Sequence, residues 1–295
     1  LRPEPVQGAA ESLSGPQGGT LDIRVHPNFA VNSFVYVSYV DWIAGSFSGE
    51  PMSRAVHVAR YVWRNDRLEA GREIFGGVPS THLDDHFGGR MVFGADGKLY
   101  LTLGDRHLYF HPQDPAFLNG KVLRLNDDGT VPSDNPFVGV PDARGEVFTR
   151  GHRNPQGLAV QPGTGALFAT EHGNSGGDEI NLLLPGHNYG YPLHEHQSTE
   201  PGMDLSLREY TPSIAPSGAT FYNAKTFPGW CDSLFVAGLV SRQLVRVLFQ
   251  GSTFVEEELI PWEARVRNVA VGPDGYIYFS EDDVPGRIMR IVPAP

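Results

Sequence analysis

The run GRMVFGADGKLYLTLGD, Gly89 to Asp105, decides the fold. Two short β-rich strands flank Asp96-Gly97, a pair that supplies the positive φ angles a tight hairpin turn needs. The same unit recurs four more times: LDIRVHPNFAVNSFVYVSYV from Leu21, GLAVQPGTGALFATEHG from Gly157, GATFYNAKTFPGWCDSLFVAG from Gly218 and VRNVAVGPDGYIYFSEDD from Val266. A further strand candidate follows each hairpin: AVHVARYVWR, KVLRLN, EINLLL, QLVRVLFQG and RIMRIV. Three or four strands per unit, repeated every 40 to 70 residues or so, match the blades of a β-propeller. An α/β scheme would need helical periodicity between strands, and no convincing amphipathic helix is found. Residues 1–295 thus read as one all-β domain, a six-bladed β-propeller whose first blade is incomplete, with residues 1 to 20 as the tail of a sixth unit. A five-bladed ring is the alternative.

Composition agrees with a turn-rich β protein. Charged residues make up 19% of the 295, below the usual share of about 25%. The net charge of −11 argues against a nucleic-acid footprint, which needs clustered Lys and Arg. Cys231 is the only cysteine, so no intrachain disulfide can form. No apolar run approaches the ~20 residues of a membrane-spanning helix. The N-terminal LRPEPVQG has neither the charged nor the apolar part of a signal peptide, so either the protein is cytoplasmic or the chain begins after processing or truncation.

Chemistry-bearing residues concentrate in loops beside the hairpins. In HLDDHFGGR, His82 to Arg90, His86 follows two carboxylates; a His oriented by a neighbouring Asp makes a general base, though a loop His capping a turn would look the same. Asp105 ends the strand KLYLTLGD and either caps its turn or lines a site. The densest stretch is Gly151 to Pro192. Within it, GHRNPQG sets Arg153 and Asn154 before a strand, where a guanidinium suits a carboxylate or an oxyanion. In EHGNSGGDEINLL, three glycines allow main-chain carbonyls and the carboxylates of Asp178 and Glu179 to converge on one cation. All-oxygen ligation describes Ca2+ and not zinc; turn capping by Asp178 and Glu179 is the other reading. Arg265 and Arg267, two apart on a strand, face the same way and need either an anionic ligand or nearby acidic side chains between them. His26, His57 and His187 have no carboxylate beside them in sequence and read as structural.

Taken in order, QGGTLDIRVHPNF, DHFGGRMVFGADGKLYLTLGD, GKVLRLNDDGTVPSDNPF, GHRNPQGLA, EHGNSGGDEINLL with NYGYP, IAPSGATFY and RVRNV resemble the soluble pyrroloquinoline quinone (PQQ) dependent sugar dehydrogenases of the glucose/sorbosone dehydrogenase-like family, most closely its aldose sugar dehydrogenase branch. The resemblance covers nearly the whole chain. It implies a six-bladed propeller, periplasmic or secreted, that oxidises aldoses at the anomeric carbon to lactones with PQQ and Ca2+ and passes electrons to an external acceptor. It further implies that His86 is the base, with Asp105 a carboxylate near it and Gln17 and Asp85 on the sugar side. Arg153 and Asn154 would flank the reactive quinone carbonyl, His172 would lie at the cofactor, and Arg265 and Arg267 would bind cofactor carboxylates. The carbonyls of Gly173 and Asn174 would ligate the cofactor-bound Ca2+, and Glu179 and Tyr189 a second, structural Ca2+.

The chain departs from the family pattern in three places. Asn174 stands where a Pro is usual, Val240 where the glucose dehydrogenase branch has a cofactor-contacting Lys, and most of the first blade lies upstream of Leu1 in relatives. Two rival functions fit the same fold: a calcium-dependent lactonase-type hydrolase, which would leave Arg153, Arg265 and Arg267 without a purpose, and a non-enzymatic binding propeller, which would not need His86, Asp85 and Arg153 together.

Overall fold

The computed structural model describes residues 4–15, 17–46, 49–78, 80–194 and 200–293. The chain divides into two compact units, Leu1–Arg150 and Gly151–Pro295. The architecture is an all-β β-propeller with five blades, each an antiparallel meander in which sequential strands pair.

The first unit holds two blades. One runs β1 (Thr20–Val25), β2 (Phe34–Ala44), β3 (Met52–Arg64) and β4 (Arg67–Gly76); the other runs β5 (Gly88–Phe93), β6 (Leu99–Leu103), β7 (Lys121–Leu125) and β8 (Val147–Arg150). The second unit holds three. These are β9 (Asn154–Val160) to β12 (Arg208–Tyr210) through β10 (Leu167–His172) and β11 (Asp178–Leu183); β13 (Pro216–Phe221) to β16 (Thr253–Pro261) through β14 (Ser233–Gly238) and β15 (Gln243–Gln250); and the three-stranded β17 (Val266–Val271), β18 (Ile277–Glu281) and β19 (Ile288–Arg290). Among the described residues the only helices are one turn at Phe29–Asn32 and a 3-10 turn at Pro228–Trp230, and no helix is long and apolar enough to cross a membrane.

Central strands such as β6, LYLTL, and β7, KVLRL, are buried along their whole length, because both faces of their sheet are covered. In the first unit Tyr36, Met91, Leu101 and Leu123 share one core; in the second, Phe168, Ile180, Val236 and Val245 share another, and Tyr222, Phe235, Val269 and Ile277 a third. Leu123 has no solvent exposure. Leu123→Ala is therefore expected to lower unfolding free energy by ~2–5 kcal/mol, through lost burial and a residual cavity, as read from urea unfolding.

Among the described residues there are five blades and no sixth. Of its expected tail, residues 1–3 and 16 lie outside the described residues, and the remainder forms no strand before β1. Pro5 offers no backbone donor and Gly8 takes φ 93°, so the segment cannot run on as a ladder. Instead it is tied to the first blade: Leu68 N–H donates to Gln7 O, Ala10 N–H to the Tyr61 hydroxyl at 2.8 Å, and Leu13 N–H to Val40 O at 2.9 Å. Leu13 packs against the first core.

Candidate active site

His86 lies two residues before β5, with φ 52° in the left-handed region. Its main-chain N–H donates to Oε1 of Gln17 at 3.0 Å. Gly88 pairs with Leu103 across β5 and β6, which draws the residues just outside that pair together. His86 Nδ1 thereby sits 2.7 Å from Oδ1 of Asp105, with both residues buried. A carboxylate can only accept, so Nδ1 carries the proton and the lone pair is on Nε2.

Sequence adjacency pointed to Asp84 or Asp85 as the carboxylate that orients His86; the structure corrects this. Asp84 pairs with Arg54 Nη1 at 2.6 Å. Asp85 Oδ2 lies 2.8 Å from Nε2 of His107, whose ring stacks on His86 with centroids 4.2 Å apart and planes at 23°. Consecutive side chains diverge, so the partner comes from the paired strand and not from the neighbouring position. His107 was missed in the sequence; its main-chain N–H donates to the same Asp105 Oδ1 at 3.2 Å. Beneath this group the guanidinium of buried Arg106 lies 3.8 Å over the Phe87 ring. Burial pushes Arg106 down to about 10, against the pull of Asp85, Asp84 and Asp105.

The second unit repeats the arrangement. His152 lies before β9 and its Nδ1 is 2.7 Å from Oε2 of Glu171 on β10, again 19 residues further on. Here the His is fully buried and its ring stacks on Tyr189 at 4.8 Å. Glu171 also accepts from the main-chain N–H of Arg153. The Arg153 side chain donates from Nη1 to His172 O at 3.5 Å, while its buried Nε has no hydrogen-bond partner. Asn154 is buried and accepts from Gln156 Nε2 at 3.1 Å. His172 Nε2 meets Pro216 O at 2.8 Å.

Arg153, His172, Gly173, Asn174, Glu179 and Tyr189 line a common pocket together with Glu171. The strand register puts Glu171 opposite Glu179 and Glu179 opposite Glu209, a row of three carboxylates across β10, β11 and β12. Like charges directly opposed in a sheet repel. Burial, reinforced by Glu171, raises the Glu179 carboxyl to about 8. A Cβ at Gly173 would collide with the carbonyl oxygens of Gly176 and Gly177, so the loop closes only with glycine there. Asp178 resolves to the turn-capping reading: it accepts from Gly173 N–H at 3.0 Å, the Ser213 hydroxyl at 2.6 Å and Ala215 N–H at 2.8 Å. The Tyr189 hydroxyl donates to Leu182 O and accepts from Leu184 N–H, so any metal ligation by this residue would use its main-chain oxygen.

Arg265 and Arg267, at the start of β17, converge on Asp282, which was overlooked in the sequence. Arg265 Nε is 2.9 Å from one carboxylate oxygen, and Arg267 Nε and Nη2 are 3.0 and 2.9 Å from the other. Burial pushes Asp282 up, but the two guanidiniums outweigh it and hold the carboxyl below its ordinary range. One carboxylate between two guanidiniums leaves a net positive charge. Val240 is exposed just after β14 and supplies no cation.

The family model for glucose / sorbosone dehydrogenases matches residues 1–290. The aldose sugar dehydrogenase YliI of Escherichia coli is 33% identical over 98% of this chain and 81% of its own length. A solved glucose dehydrogenase superposes with a TM-score of 0.92 at 35% identity, covering 99% of this chain and 87% of that one. The PQQ-bound form of an aldose sugar dehydrogenase from Streptomyces coelicolor gives a TM-score of 0.77 at 29% identity, over 97% of this chain and 78% of that one. With the family model matching nearly the whole chain and relatives similar to it in sequence and fold, the chain belongs to the glucose / sorbosone dehydrogenase family and is an oxidoreductase.

Proposed function

We propose that this protein oxidises aldose sugars at the anomeric carbon to lactones, using PQQ and Ca2+ and passing the electrons to an external acceptor, in the periplasm or outside the cell. The observation that carries the reading is the His86–Asp105 pair, in which Asp105 fixes the tautomer and leaves Nε2 as a proton acceptor. His86 Nε2 takes the proton from the anomeric hydroxyl, and Asp105 stabilises the imidazolium that forms.

The residues present fit both groups. PQQ carries three carboxylates, and the chain offers the net positive charge of Arg265, Arg267 and Asp282 together with the unpartnered Nε of Arg153. The Glu171–Glu179–Glu209 row and the carbonyls of the Gly173–Gly177 loop are hard oxygen donors suited to Ca2+. When bound, PQQ supplies the two-electron acceptor and calcium a Lewis acid that polarises it. Arg153 and Asn154 would orient the quinone, Arg265 and Arg267 would hold its carboxylates, and Gln17 and Asp85 would face the sugar.

Reduction of an artificial dye with glucose tests the reading, comparing apoprotein, added Ca2+, and Ca2+ with PQQ. Activity is expected only in the last mixture. Silence in all three, with hydrolysis of a lactone supported by Ca2+ alone, would replace this reading with the hydrolase. Changing Arg265 and Arg267 together to Ala should raise the PQQ concentration for half-activation by roughly ten-fold or more, since each charge-assisted contact is worth about 1.5–3 kcal/mol. An unchanged value would assign the pair to holding Asp282 alone.

A further inference from the structure

We propose that Asp85, His86 and His107 form a binding site for a borderline transition-metal dication such as Zn2+, distinct from the oxygen-rich calcium region, and that an ion there blocks the proposed base. One ligand atom from each of the three residues lies within 4.8 Å of the others. A tetrahedral ion with bonds of about 2.1 Å needs its ligands roughly 3.4 Å apart, so small side-chain rotations close the set. Two imidazole nitrogens and one carboxylate are the donors that favour Zn2+ or Cu2+ over Ca2+.

Three features prepare the group. His86 already has its Nδ1 bound to a carboxylate at 2.7 Å, the outer-shell contact that orients a ligating imidazole and makes it a better donor. The rings of His86 and His107 lie 4.2 Å apart, and His107, partly open to solvent, can turn its ring out of the stack to bring its lone pair onto an ion and gives that ion a way in. Asp85 Oδ2 is 2.8 Å from His107 Nε2, while its other oxygen, Oδ1, is buried without a hydrogen-bond partner. A cation gives that oxygen the partner it lacks. Three protein ligands leave a fourth position open for water. Binding itself does not depend on the dehydrogenase reading; inhibition does, because the ion takes the Nε2 lone pair assigned to proton removal.

The test is a calorimetric Zn2+ titration of the full chain without quinone, in excess Ca2+ so that oxygen-only sites are filled, with Co2+ absorption as a probe of coordination. One ion per chain is expected, with the intense visible bands of tetrahedral Co2+. His107→Ala and Asp85→Asn should each weaken binding at least ten-fold, and His187→Ala, which alters a surface His–Asp pair elsewhere, should not change it. Affinity unchanged in both site variants, affinity lost with His187→Ala, or only weak octahedral Co2+ bands would overturn the proposal. In the holoenzyme, Zn2+ should inhibit dye reduction, and His107→Ala should relieve the inhibition. A chain that binds Zn2+ as described but shows no PQQ-dependent turnover keeps the site and loses the function proposed above.

Discussion

His86→Ala is expected to lower turnover by ~10²–10⁴-fold while PQQ uptake stays near that of the unaltered protein. The size follows from the loss of a positioned proton acceptor, and the selectivity from the site's construction. His86 is held by Gln17 through its main chain and by Asp105 through its ring, neither of which is among the groups proposed to hold the quinone. Single-turnover reduction per bound PQQ separates the two effects. If PQQ binding fell while turnover per holoenzyme was retained, the base assignment would fail. Asp105→Asn is the companion: the amide can donate as well as accept, so it no longer dictates which nitrogen of His86 carries the proton. The expected loss is again in kcat and not in sugar KM.

In cation-free protein, Glu179 works against stability as pH rises from the ordinary carboxylate range towards pH 8. The Glu179 carboxyl is raised to about 8 in the folded chain, so between its ordinary value and 8 the folded state binds more protons than the unfolded state. Stability then decreases with pH, by up to about 1.4 kcal/mol per unit from this group. Calcium is expected to reverse the trend, because in the proposed reading it replaces the proton as the partner of Glu179, and its stabilisation should grow with concentration and with pH. Glu179→Gln removes the charge without removing the volume. It should flatten the pH profile of thermal unfolding and abolish the calcium-dependent rise at pH 8. A Gln variant stabilised by Ca2+ as strongly as the parent chain would place the ion elsewhere.

All five hairpins and the strand after each lie where the Asp-Gly and Gly-Thr-Gly turns and the β-rich runs put them, because turn chemistry and apolar runs are local properties. Residues 1 to 20 misled because as a stretch they look like the tail of another unit, and only tertiary hydrogen bonds to Val40, Tyr61 and Leu68 show that they serve the first blade. In the site, glycines and single charged residues near strand ends stood out by composition. Their partners did not. Glu171, Asp282 and His107 are joined to His152, Arg265 and His86 through strand register and ring stacking, across 17 to 21 positions of sequence. Adjacency therefore favoured Asp84 or Asp85 over Asp105, and register decided otherwise.

The recurrence of His86–Asp105 as His152–Glu171 gives the molecule an internal reference. Both imidazoles meet a carboxylate through Nδ1 at 2.7 Å, but His152 has no solvent exposure and a tyrosine ring against it. An acylating or alkylating reagent that samples imidazole nitrogens should thus modify His86, whose side chain keeps 9% exposure, faster than His152. The ratio of the two modification rates in a single sample reports how accessible the proposed base is, with protein concentration and reagent decay cancelling out.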